Sequence, residues 1–99
     1  MSIAMKLIWD EAKRRSNLTK HGLDFSNVNV VLESRYRLDI TSPQKGENRV
    51  KSYAYVMNRL CVLTVVHLER DGAVRIISFR DASEKESEVY YEWIGGEND

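Results

Sequence analysis

Between residues 25 and 34 the apolar positions recur at three- and four-residue spacing, and from residue 36 onward they recur at every second position. Phe25, Val28, Val31 and Leu32, behind Asp24 or Ser26 as a cap, predict an amphipathic helix ending near Ser34. Tyr36, Leu38 and Ile40 then alternate with Arg35, Arg37 and Asp39, the pattern of a half-buried strand, and residues 41–46 break it as a loop. Residues 49–57 form a further strand rich in Tyr and Val, with Asn58-Arg59 as a hairpin tip. The run 60–68 is apolar on both faces and therefore reads as an inner strand. Asp71-Gly72 is a type I′ turn signal, and residues 74–80 form the returning strand.

The flanking segments complete the pattern. Residues 6–9 read as a short strand, and Asp10 is an N-cap for a helix over residues 11–21, with Gly22 suited to its left-handed C-terminal cap. That helix has few large apolar residues, mainly Ala12 and Leu18, so much of its surface must face water or a ligand. Ser83 and Glu86 form a capping box for a last helix, whose stripe is Val89, Tyr90, Trp93 and Ile94 and whose end is Gly95-Gly96. This order predicts one α+β domain over residues 1–99: an antiparallel β-sheet with two N-terminal helices and one C-terminal helix packed on it.

The net charge is zero, but its distribution is not even. Up to Arg80 there are 14 Lys/Arg against 8 Asp/Glu; from Asp81 onward Lys85 faces seven carboxylates. A basic body suits a phosphate-bearing partner, and the acidic segment reads as the solvated face of the last helix. The lone Cys61, inside an apolar run, is expected as a buried reduced thiol. No run is long enough to span a membrane, and the apolar part of residues 1–6 is too short for a secretory signal, which makes the cytoplasm the expected location.

Candidate chemistry narrows in the same way. There is no phosphate-binding glycine loop, no Cys/His metal cluster and no nucleophile elbow, so metal-dependent and covalent catalysis are disfavoured and no cofactor is expected. His67 falls within the apolar strand and reads as a packed, hydrogen-bonded histidine. His21 stands at a helix end beside Lys20, where an imidazole is exposed, although the helix dipole alone also favours a histidine there. Strand alternation puts Arg75 with Ile77 and Phe79 on one face and Arg80 with Ser78 on the other, so a regular strand cannot bring both arginines to one site.

The residues Trp9-Asp10-Glu11-Ala12-Lys13, Asn17-Leu18, Lys20-His21-Gly22 and Phe25 resemble the N-terminal signature of the BrnT family of bacterial type II toxins. Val74-Arg75-Ile76-Ile77-Ser78 with Arg80 and Ala82, followed by a charged helix with Tyr91-Glu92, is similar to its C-terminal signature, and Glu47 and Arg49 stand between the two. The resemblance spans nearly the whole chain. It implies a RelE-like ribonuclease that attacks an RNA phosphate with the adjacent ribose 2′-hydroxyl, without metal, and so inhibits translation. It also implies a BrnA-like antitoxin, a ribbon-helix-helix protein through which any contact with DNA would be indirect.

On that reading Arg80 and Arg49 clamp the phosphate, His21 does acid or base work and Lys20 adds a cation. Lys13, Tyr53 and Tyr91 bind substrate, the tyrosines by stacking on unpaired bases. The free toxin is expected to be a monomer and the antitoxin complex a heterotetramer. The chain departs from the family pattern at Ala54, Phe79 and Ser87. The alternative reading is a catalytically weak or inactive homologue that serves as a protein-binding module in an antitoxin complex.

Overall fold

The computed structural model describes residues 6–44 and 46–96. Lys45, expected in a loop, and residues 1–5 of the N-terminal segment found too short for a secretory signal lie outside the described residues. The first helix forms where its caps dictate. In α1 (Glu11–His21) the Asp10 carboxylate accepts from the N–H groups of Ala12 and Lys13 at 2.8 and 3.2 Å. Gly22 closes the helix at φ 70, in the left-handed region that a residue without Cβ enters freely, and its N–H donates to Leu18 O at 2.8 Å.

The second helix is shorter than its apolar spacing predicts. Asp24 accepts from Ser26 N–H at 3.0 Å and sets a tight 3₁₀ turn over Phe25–Asn27, and only four residues, Asn29–Leu32, follow as α2. Three valines in this stretch resist a longer α-helix because their χ1 freedom is lost against the preceding turn. The pair of turns still delivers Phe25, Val28 and Val31 to the core, all fully buried.

Five strands make one mixed sheet: β1 (Lys6–Ile8), β2 (Leu38–Gln44), β3 (Glu47–Val56), β4 (Cys61–Arg70) and β5 (Ala73–Asp81), in the order β1-β5-β4-β3-β2. The stretch from β2 to β5 is antiparallel throughout, with β4 inside as its two apolar faces require. The expectation of a wholly antiparallel sheet fails at β1, which runs parallel to β5, Lys6 opposite Ala73 and Ile8 opposite Arg75. A parallel β1 leaves the chain pointing along the rest of the β5 edge, which is where α1 has to lie. An antiparallel one would carry it the other way.

Two turns also differ from expectation. β2 continues through Pro43 to Gln44 instead of breaking at residue 41, and as an edge strand it tolerates the proline. The β3–β4 turn spans residues 57–60, with Leu60 at φ 57, so the tip is wider than Asn58-Arg59 alone. Asp71 and Gly72, at φ 53 and 77, have the two positive angles of a type I′ turn.

The sheet separates two apolar clusters. Leu23, Phe25, Val28 and Val31 pack on Ala54, Leu63, Val65, Val74, Ile76 and Phe79. On the opposite face α3 (Glu84–Gly96) sets Tyr90 against Tyr53 and Val62, with Trp93 and Ile94 half-buried beside them. The helix takes in Gly95 and Gly96 as its last two residues. Cys61 is half-buried rather than buried, and burial raises its thiol pKa. His67 is the packed histidine expected. Ser52 Oγ has one proton and gives it to Asp39 at 2.6 Å, so at 2.8 Å it accepts from His67 Nε2–H. Among the described residues no helix is long and apolar enough to cross a membrane.

Candidate functional site

On α1, residues 13, 16, 17, 20 and 21 share one helix face, the stripe that an amphipathic helix normally fills with apolar side chains. Here the stripe is Lys13, Ser16, Asn17, Lys20 and His21, and it lies over the edge of β5 that β1 leaves open. Together with Ile77 and Ser78 these residues line an open groove of about 190 Å³. Asn17 fixes the helix there. Its amide donates to Phe79 O at 2.7 Å and to Leu23 O at 3.0 Å, and its oxygen accepts from Phe79 N–H at 3.2 Å. No carboxylate lines the groove, and Lys13, Lys20 and His21 form no ion pair among the described residues.

A bulge at Ile77 shapes the other half of the site. Val66 pairs with Ser78 and His67 with Ile76, leaving Ile77 without a cross-strand partner. The strand therefore changes phase: Val74, Ile76 and Phe79 point into one core, while Arg75, Ser78 and Arg80 point to the α3 side. This corrects the expectation that Arg75 and Arg80 oppose each other, which held only for a regular strand. Across this face run the rows Leu38–Tyr53–Thr64–Arg80 and Ile40–Lys51–Val66–Ser78, with Arg49 opposite Ser42 and Arg75 opposite Leu68 in the next. Ser78 belongs both to the groove and to this cationic face, and Arg80 stands two residues on, roughly 7 Å along the strand.

The cations of the sheet face are not alike. Arg80 is half-buried and held by Glu86, Nη1 to Oε1 at 2.7 Å and Nη2 to Oε2 at 3.0 Å. This pairing raises its pKa, so it is a fixed charge. Glu86 also receives Lys51 Nζ at 3.4 Å, Thr64 Oγ1 at 3.3 Å and the Ser83 N–H at 2.9 Å. Burial alone would push this carboxyl up, but the bonds from Arg80 and Ser83 and the charges of Arg80 and Lys51 bring it down to about 2. Among the described residues Arg49 forms its ion pair with Glu47, at 3.8 Å, and its Nε is buried without a hydrogen-bond partner.

The structure thus divides the sequence-derived residues into two neighbouring groups. Lys13, Lys20 and His21 share the groove, while Arg49, Tyr53 and Arg80 share the sheet face. Tyr53 is buried beside Tyr90, and burial raises its pKa, so its ring is packed rather than free to stack. Tyr91 is half-exposed on α3, edge-on to Tyr90, and lines neither group.

Four residues escaped the sequence reading. Lys51 was discoverable, since it alternates with Arg49 and Tyr53 on β3; Asn17 and Ser16 complete the polar stripe of α1. Glu86 was explained by its capping box, which concealed its second task.

The family model described as the ribonuclease toxin BrnT of type II toxin–antitoxin systems matches residues 9–86. That span holds α1, the whole sheet except β1, and Glu86. No curated protein matches the chain.

Proposed function

From a chain that belongs to the BrnT family, the ribonuclease toxins of type II toxin–antitoxin systems, we infer an endoribonuclease whose reacting phosphate sits in the groove between α1 and the β5 bulge. The observation that carries this reading is the groove's lining, two ammonium groups and an imidazole with no carboxylate among them. A phosphodiester is attracted to such a lining, and the charge that builds on it during cleavage is attracted more.

The ribose 2′ oxygen attacks the adjacent phosphorus, the bond from phosphorus to the 5′ oxygen breaks, and the products are a 2′,3′-cyclic phosphate and a 5′-hydroxyl. His21 takes the 2′ proton or supplies the one that the 5′ oxygen needs. Lys13 and Lys20 hold the phosphate oxygens, and Arg80 reaches them from the sheet face past Ser78. Arg49 and Lys51 take flanking phosphates. With these cations in place the reaction needs no metal. Cleavage of a labelled RNA in excess chelator tests that, and a 2′-deoxy substitution at the cut should abolish it. Cleavage that survives the deoxy substitution would overturn the mechanism.

The family implies an antitoxin partner. We propose a BrnA-like ribbon-helix-helix protein that covers the basic surface around Lys13, Lys20, Arg49 and Arg80. The toxin is a one-domain monomer when free and part of a heterotetramer when bound, and it reaches DNA only through that partner. In the cytoplasm, RNA cleavage of the RelE-like kind inhibits translation. The rival reading, a silent module that only binds antitoxin, draws on the engagement of Arg80 by Glu86. Expression without antitoxin separates the two, because a silent module would leave growth and translation unchanged.

A further inference from the structure

A glutamate that only caps a helix needs one acceptor and tolerates full exposure. Glu86 is 8% exposed and collects five donors on its two oxygens, of which the Ser83 N–H alone belongs to the cap. The others come from β3, β4 and β5, so the carboxylate is a junction between α3 and three strands.

The geometry at Arg80 shows what the junction does. A guanidinium has five N–H donors. Glu86 takes one from Nη1 and one from Nη2, and the second Nη1 hydrogen faces Asp81 O at 3.3 Å. What remains is the side edge, Nε–H and the other Nη2–H, two parallel donors spaced for a pair of phosphate oxygens. Among the described residues Arg80 Nε makes no hydrogen bond or ion pair, and it is not a fully buried nitrogen left without a partner, as Arg49 Nε is. The end of the guanidinium is anchored and its side is free.

We propose that Glu86 is a positioning residue of the cleavage site, gripping Arg80 by the end of its guanidinium so that the Nε–Nη2 edge is presented to an RNA phosphate. The same carboxylate holds the Lys51 ammonium on that face as a second cation. Arginine has four side-chain torsions to fix, and Glu86 fixes them before substrate arrives. This rests on the ribonuclease reading above.

Four measurements test it. With a short RNA, Glu86→Gln keeps an acceptor for Ser83 but loses the charge and one acceptor, and should lower kcat about 10- to 100-fold with KM nearly unchanged. In Arg80→Ala, millimolar guanidinium ion should restore part of the lost activity, and in the Arg80→Ala, Glu86→Gln double variant it should not. Arg80→Lys keeps a cation against Glu86, and with it the fold, yet should lose as much activity as Arg80→Ala. Finally, the Arg80 Nε–H resonance should shift when the native chain is titrated with an uncleavable 2′-deoxy oligonucleotide, and Glu86→Gln should weaken that response.

An unchanged kcat in Glu86→Gln, equal rescue in the single and double variants, or an unresponsive Nε–H would each overturn the proposal. A native chain that leaves RNA intact would overturn the ribonuclease reading instead, and the resonance titration would still decide the role of Glu86.

Discussion

The side-chain amide of Asn17 stands in for a strand beside Phe79, accepting from its N–H at 3.2 Å and donating to its carbonyl at 2.7 Å. Both partners are buried, so their backbone groups have no water to fall back on. Asn17→Ala should cost roughly 2–3 kcal/mol in denaturant unfolding, and Asn17→Asp more, because it sets a buried carboxylate against two carbonyls. Both should also weaken cleavage, since Lys13, Lys20 and His21 share the helix face that Asn17 anchors.

Lys20→Ala and His21→Ala should each lower cleavage by on the order of 100-fold with the melting temperature nearly unchanged, since neither side chain is in the core. His21→Ala should also remove one limb of the pH–rate profile. A full-length profile of unchanged shape would take His21 out of the proton transfers.

Arg80→Ala should destabilise the protein as well as silence it. Removing the guanidinium leaves Glu86 with Lys51 as its one remaining cation, a loss of roughly 2–3 kcal/mol or on the order of 10 °C in melting temperature. Calorimetry checks this. An unaltered melting curve would mean that the pair contributes nothing to folding.

Stability should fall with acid in two stages. Burial, and then the Arg37 charge, lower the His67 pKa below its ordinary 6.5, so the unfolded chain takes up this proton first. The associated stability is complete above pH 6.5 and declines below it. The Glu86 carboxyl is held at about 2 against an ordinary 4.5, so its contribution is complete above pH 4.5 and is lost as pH falls toward 2. Urea midpoints across this range would show both stages, and His67→Gln should abolish the first.

What could be read in advance was whatever repeats. The inner position of β4 follows from a run apolar on both faces, and the Asp71-Gly72 turn from two residues that accept positive φ. The direction of β1 was illegible because three residues alternate identically whichever way they run. The bulge at Ile77 was illegible for a related reason, since one extra residue leaves the composition untouched while reversing the face of everything after it. Of the site, Lys13, Lys20 and His21 were legible from a helix too polar to pack. The second task of Glu86 was not, because its partners on β3, β4 and β5 lie 35, 22 and 6 residues away and local pattern carries no trace of them.

The parallel seam between β1 and β5 has a consequence for synthesis. The last strand made separates the first strand from all the others, so until β5 has left the ribosome β1 has no strand to pair with and α1 lacks the strand edge it lies over. Contacts this distant along the chain form late. A growing chain therefore carries the lysines and the histidine of the groove long before it carries a groove, and a truncated product ending before β5 would be harmless to the cell that made it.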